Sequence, residues 1–294
     1  MIRRIWEYIM IIRVFSSCCD SRGAREQWEN ISSAPCIPGY GTDFRMTDGE
    51  DYTHVIIMNT ATPSLTIPKE NVIGFAHEPI PFLGLNPTFI NYAQRHIGKY
   101  FIGDKIPNLP SAFVEGNAFL WYVKPYQNPP VKNNLMSIMI SQKNYAPGHK
   151  YRHQLVKNIM RSDLPIDIYG RGCKYYTSTG DPRFKGPFEE ADMCKMVESY
   201  KFHICIENFQ CAHYFSEKII NALLAGTTPV YLGCKNIESY FPGSQLLLSG
   251  DVDCDFEMLK SICANPERFM KPIDVVAVEN KVNMLKNVRD LFSR

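Results

Sequence analysis

Lys218 occupies a position that disfavours a lysine unless an anion is near. It follows Ser216, a preferred N-cap, in the first turn of a segment with helical spacing that closes at Gly226. The free N–H groups and dipole of a helix start attract negative charge and repel positive charge. The rest of the segment, IINALLA, is apolar nearly all round, so a merely solvent-facing lysine fits poorly and contact with a phosphate-like anion fits better. Arg152 holds the same topological place one strand–helix unit earlier, in the first turn of a helix read over residues 151–161 after the loop NYAPGHK. Its planar guanidinium can grip two oxygens at once. Two cations so placed would stabilise a departing nucleoside diphosphate. Lys150 and His149 stand close by and are also compatible with simple solvation.

Polar groups flank both cations. Glu207 and Asn208 end an apolar strand; Glu207 is either a carboxylate bracing the next loop or a ligand contact, and Asn208 can offer donors to phosphate or sugar oxygens. Tyr214 can stack on a ligand, hydrogen-bond to it, or simply pack. Glu217 can grip sugar hydroxyls if its helix start faces a ligand. Far upstream, Glu78 follows another apolar strand, flanked by His77 and Pro79. A carboxylate there can take a proton from a hydroxyl, or brace a turn; His77 is the alternative base.

The elements that must position these groups are legible as apolar runs. Residues 202–206 and 229–232 are buried strands, and with the helix between them they form a βαβ unit of a parallel sheet. Ligands of such sheets sit beyond the carboxyl ends of the strands. Upstream, strands are read at residues 9–16, 54–59, 71–76, 100–103 and 119–123, with helices at 24–31 and 87–97. The segment KPYQNPPVKNN (124–134) carries three prolines and reads as a linker. Beyond it come strands at 135–141, 166–169 and 244–249, and helices at 189–199, 236–241, 255–263 and 275–292. The fold class is therefore α/β, with two Rossmann-like domains facing a cleft. The boundaries fall at residues 1–125 and 126–294, the last helix being able to pack back on the first domain.

Composition excludes several classes. A net charge of +2 over 294 residues implies neither a nucleic-acid nor a membrane partner, so any anion site must be built locally. No run reaches the eighteen or so apolar residues of a membrane span. The apolar N-terminus is interrupted by Glu7 and Arg13 and reads as a first strand with its lead-in rather than a signal sequence. Ten cysteines show neither a CxxC pair nor Cys/His metal spacing, which favours reduced thiols and an intracellular setting; the single sequon Asn30-Ile31-Ser32 weighs little against it. There is no GxxxxGK[ST] and no GxGxxG after a strand. Asp251-Val252-Asp253 reads as a surface loop, not a metal-binding pair.

At the segment running from Tyr200 to Gly233 the sequence closely resembles the signature of the α-1,3/4-fucosyltransferases, glycosyltransferase family 10. Tyr200-Lys201-Phe202, Glu207-Asn208, Tyr214-Phe215-Ser216-Glu217-Lys218 and the run from Gly226 through Pro229-Val230 to Gly233 each match its pattern. The resemblance continues over 134–172, with Arg152 and IDIYGRG, and thins to NVIGFAHEP around Glu78. It implies a GT-B fold and an inverting transfer of L-fucose from GDP-fucose to a glycan hydroxyl, the 3-OH of GlcNAc or Glc. It also implies roles. Arg152 and Lys218 would hold the diphosphate with Asn208 assisting, Tyr214 and Glu217 would contact the donor, and Glu78 would deprotonate the acceptor. No cofactor is expected, since two protein cations can replace a divalent metal, which would at most stimulate. A membrane anchor, a C-terminal disulfide motif and a heptad tail are not evident, so a compact cytoplasmic protein of microbial or viral type is expected rather than a Golgi one. Two alternatives carry the same fold: a transferase using another nucleotide deoxysugar, and a non-catalytic glycan- or nucleotide-binding protein.

Overall fold

The computed structural model describes residues 9–128, 130–187 and 194–293. The chain divides into two compact units, Met1–Lys124 with Val282–Arg294, and Pro125–Lys281.

The first unit runs β1 (Met10–Ser16), α1 (Ser21–Ile31), β2 (Phe44–Thr47), β3 (His54–Met58), β4 (Val72–Phe75), α2 (Ile80–Leu83), α3 (Pro87–His96), β5 (Lys99–Phe101) and β6 (Phe113–Val114). Its strands form one parallel sheet in the order β2-β1-β3-β4-β5-β6. β4 reads as an unbroken apolar run and β3 as a largely apolar one because both faces are covered. Val55, Ile57, Val72, Phe89, Tyr100 and Phe113 pack together there. Gly74 is obligatory in β4, since a Cβ would lie 2.2 Å from the Tyr100 ring. α1 begins at Ser21 rather than Ala24 because Asp20 caps it, accepting from the Gly23 N–H at 2.7 Å. The strand read at 119–123 does not form. Phe119 has a φ of 44°, incompatible with extended backbone, and β6 takes the sheet edge instead.

The second unit runs β7 (Asn134–Met139), α4 (Pro147–Met160), β8 (Ile166–Tyr169), β9 (Phe184–Gly186), α5 (Lys195–Glu198), β10 (Tyr200–Ile206), α6 (Glu217–Leu224), β11 (Thr228–Leu232), β12 (Leu246–Leu247), α7 (Val252–Ala264), α8 (Pro266–Phe269) and α9 (Val275–Val282). The helix read over 189–199 lies partly outside the described residues. The strands again form one parallel sheet, β12-β11-β10-β7-β8-β9. Strand order reverses between β7 and β10, so right-handed crossovers carry α4 and α6 to opposite faces and leave a crevice at the carboxyl ends of those two strands. Met136, Ile138, Leu155, Ile159, Phe202 and Ile204 are sealed in its core. On α6, Ile219, Ile220 and Leu223 are at most 1% exposed, each contributing roughly 1.5–3 kcal/mol by leaving water. The one basic side chain deep inside β10, His203, is satisfied by Ser137 Oγ at 2.7 Å from its Nδ1.

Three readings are corrected here. α4 starts at Pro147, not Tyr151, because proline is favoured at the first helical position; Arg152 therefore sits in the second turn. Asp251-Val252-Asp253 is a helix start rather than a loop, with Asp251 accepting from the Asp253 and Cys254 N–H groups at 3.1 and 2.9 Å. The long final helix breaks at Asn283, which caps α10 (Met284–Phe292) by accepting from the Lys286 N–H at 3.2 Å.

α10 belongs to the first unit. Asn283 Nδ2 donates to the Ser32 carbonyl at 3.3 Å, Lys99 Nζ donates to the Ser293 carbonyl at 2.7 Å, and Met284, Leu285 and Val288 are buried. Among the described residues no helix is long and apolar enough to cross a membrane. All ten cysteines carry free thiols.

Candidate active site

The polar groups of the second unit gather where β7 and β10 end. Glu207 caps β10 and is 1% exposed. Its Oε1 accepts from the Ser216 N–H at 2.8 Å, and the Ser216 hydroxyl reaches Oε1 at 3.0 Å and Oε2 at 2.7 Å. Of the two roles open to it, Glu207 takes the brace: it fixes the N-cap of α6 from behind. Lys218 Nζ completes the knot at 3.5 Å from Glu207 Oε2, 3.0 Å from Ser216 Oγ and 3.0 Å from Glu217 Oε1.

α4 is pressed against the same strand end. The Gly148 N–H donates to the Asn208 carbonyl at 3.0 Å, and a Cβ on Gly148 would fall 1.8 Å from the Glu207 carbonyl oxygen. Only glycine allows this approach, and through it Arg152 is brought to Asn208. Gly148→Ala is expected to destabilise the protein by about 3 kcal/mol through overpacking, read as a lower midpoint in urea or thermal unfolding. An unchanged midpoint would contradict the close approach.

Arg152 is 2% exposed. Its Nε donates to the Gly148 carbonyl at 3.1 Å and its Nη2 to Asn208 Oδ1 at 2.5 Å. That bond orients the carboxamide, leaving its Nδ2 as the donor it can offer to a ligand. Burial lowers the guanidinium to about 10, partly offset by Glu207, Glu217 and Tyr214, and it stays charged at neutral pH. For Lys218, burial works against the charged form, but the Glu217 and Glu207 carboxylates outweigh it and raise the ammonium above its ordinary value. Glu217 shows the mirror effect: burial pushes it up, yet Lys218 beside it holds the carboxyl below the usual range. Tyr214 is 6% exposed and packs next to these groups.

Two cavities adjoin the cluster. One of about 10 Å³, touched by Arg152, His203, Cys205 and Lys218, is the size of a single water. The other, about 480 Å³ and lined by Gly148, Lys150, Gln154, Phe209, Gln210 and Leu232, is large enough for a small organic ligand. Among the described residues no three His, Cys, Asp or Glu side chains gather to hold a metal ion.

Arg152, Asn208, Tyr214, Glu217 and Lys218 are thus brought together in one unit, and Glu78 lies in the other. It is exposed at the carboxyl end of β4, between His77 and Pro79, the N-cap of α2. The preceding backbone is held by the His77 N–H donating to Asn59 Oδ1 at 2.9 Å. Burial pushes the His77 imidazole down to about 4, with carbonyls at Ala118 and Phe119 only partly countering. His77 is therefore a weaker base than an ordinary imidazole. Gly148 and the bracing role of Ser216 carried no chemical signal of their own; the proline that opens α4 was the available clue to the first.

Residues 129–264 match the model of glycosyltransferase family 10 (fucosyltransferase), C-terminal domain. A fucosyltransferase-like protein of Arabidopsis thaliana is 29% identical over 126 residues, 42% of this chain and 22% of its own length. The 4-galactosyl-N-acetylglucosaminide 3-alpha-L-fucosyltransferase 9 of Cricetulus griseus is 29% identical over 136 residues, 45% of this chain and 33% of its own. The chain therefore spans between a fifth and a third of the length of these relatives. In fold it is similar to a solved α1,3-fucosyltransferase with GDP (TM-score 0.52, 14% identity, 96% of this chain and 83% of that one). It is also similar to an α-glucosyltransferase in complex with UDP (TM-score 0.56, 10% identity, 97% of this chain and 100% of that one). Its two parallel α/β units are those of the GT-B class. Residues 129–264, where Arg152, Asn208, Glu217 and Lys218 converge, are thus the part of the chain that is similar to the C-terminal domain of glycosyltransferase family 10, the fucosyltransferases.

Proposed function

We propose that the chain is an inverting fucosyltransferase that moves L-fucose from GDP-fucose to a glycan hydroxyl, the 3-OH of GlcNAc or Glc, making an α-1,3 linkage. The observation that carries the reading is the cation pair, buried Arg152 and half-buried Lys218, beyond the ends of adjacent strands inside the segment that matches the family. In this mechanism Arg152, Lys218 and the Nδ2 of Asn208 bind the diphosphate, while Glu217 and Tyr214 contact the rest of the donor. Glu78 takes the proton of the acceptor hydroxyl as its oxygen bonds to the anomeric carbon. The bond from that carbon to the β-phosphate breaks, and the electron pair leaves with GDP onto the two cations. Those cations supply the charge a divalent metal would otherwise bring, so a metal is at most stimulatory and no cofactor is needed. The setting is cytoplasmic.

A panel of GDP-, UDP- and dTDP-sugars offered with N-acetyllactosamine or free GlcNAc tests the reading. GDP-fucose is expected to turn over at least about tenfold faster than the others, a difference of about 1.4 kcal/mol in the barrier. Equal or faster use of another nucleotide deoxysugar would transfer the assignment to that donor. Binding without turnover of any donor would leave a non-catalytic binding protein.

A further inference from the structure

Three side chains share one face of α4: His149, Arg152 and His153, at spacings of three and four residues. The last two are occupied. Arg152 holds Asn208 and Gly148, and His153 bridges Tyr176 Oη at 2.9 Å and the Ser141 carbonyl at 3.0 Å. His149 stands one turn nearer the helix start and is 3% exposed. Its Nδ1 accepts from the Ala146 N–H at 3.3 Å. A neutral ring whose Nδ1 accepts carries its proton on Nε2, so it is a donor. The ring is further fixed edge-on against Tyr145, centroids 5.0 Å apart.

From this geometry we propose that His149 is a fourth ligand of the donor's diphosphate, giving Nε2–H alongside Arg152, Lys218 and Asn208 and taking up a proton from solvent when the anion binds. The inference rests on the nucleoside-diphosphate reading above and adds a residue to it. The groups that bear on the ring come from three elements. Arg152 and His153 belong to α4, Lys143 to the loop before it, and Lys218 to α6. With no anion present, burial and then these cations push the imidazole down to about 4. A diphosphate reverses the sign of the local field and raises it. Affinity owed to His149 therefore grows as pH falls through the raised value of the complex, until the free ring also protonates near 4.

The test uses inorganic pyrophosphate and GDP as separate probes, titrated calorimetrically into the full chain and its His149→Gln variant. Glutamine at this helix position can still reach back to the Ala146 N–H, preserving the cap, but does not protonate. For pyrophosphate, loss of one neutral donor predicts about fivefold weaker binding at pH 8. At pH 5.5 loss of a charged donor predicts at least about thirtyfold. Comparing the variant with the wild type at each pH cancels the titration of the probe itself. A ratio near one, or one constant with pH, overturns the proposal, as does failure of the wild type to bind pyrophosphate. If pyrophosphate shows the widening ratio but GDP is bound no better than UDP, the role of His149 stands and the guanosine donor reading falls. As a second measurement, the His149 ring signal in a carbon–proton spectrum should titrate at least one unit higher with saturating pyrophosphate; an unmoved midpoint sinks the proton uptake.

Discussion

Glu78→Gln is expected to lower fucosyl transfer by about a thousandfold, the usual size of a lost general base, while GDP affinity changes by less than about twofold, within the reach of a surface substitution. The amide keeps the size and hydrogen-bonding reach of the carboxylate but cannot accept the acceptor's proton at neutral pH. The residues assigned to GDP all lie in the other unit, which is why binding is spared. Steady-state transfer to N-acetyllactosamine and calorimetric GDP titration read the two halves separately. Because Glu78 is exposed on the turn between β4 and α2, folding should not be at stake. Turnover at the wild-type rate would remove Glu78 from the chemistry.

Lys218→Ala should have the second large effect, of a different kind. The ammonium touches Glu207, Glu217 and Ser216 at 3.0–3.5 Å and stays protonated throughout the neutral range. Its removal takes a phosphate ligand from the site and leaves the buried Glu207 carboxylate facing Arg152 alone. Breaking one partner out of a buried charged cluster costs about 3–5 kcal/mol, so the unfolding midpoint should fall as well. Affinity for GDP and GDP-fucose should drop together by roughly a hundredfold, or about 2.7 kcal/mol. Lys218→Arg separates the contributions. It retains the charge that offsets Glu207, so stability should largely return even where donor affinity does not. Unchanged affinity for both nucleotides in the alanine variant would show that the lysine serves the carboxylates and not the ligand.

Much of this was legible in the sequence because both sheets are parallel and covered on each face. β4 therefore appears as an unbroken apolar run and β3, β10 and β11 as largely apolar ones, with Glu78 following close on β4 and Glu207 and Asn208 directly on β10. Ser216 announced the start of α6, and an apolar helix with a lysine in its first turn announced an anion. Elements held by single contacts were less legible. β2, β6 and β9 are only four, two and three residues long, and each pairs with a single neighbouring strand. The start of α4 was obscured because Pro147-Gly148 reads as a turn; its glycine is there for the carbonyl of Glu207, a contact no local pattern encodes. The two roles open to Glu207 could be decided only when Ser216, nine residues on, was seen to deliver both of its donors to that carboxylate.

The return of α10 to the first unit has a consequence for biosynthesis. A ribosome releases Pro125–Lys281 as one continuous stretch, whereas the first unit is complete only after Val282–Arg294 has followed. At about 5–20 residues per second, β1 through β6 wait on the order of ten seconds for their final helix. During that interval the surface around Ser32 and Lys99 that α10 will occupy is open to chaperones. The half of the molecule translated later is thus the first able to reach its finished form.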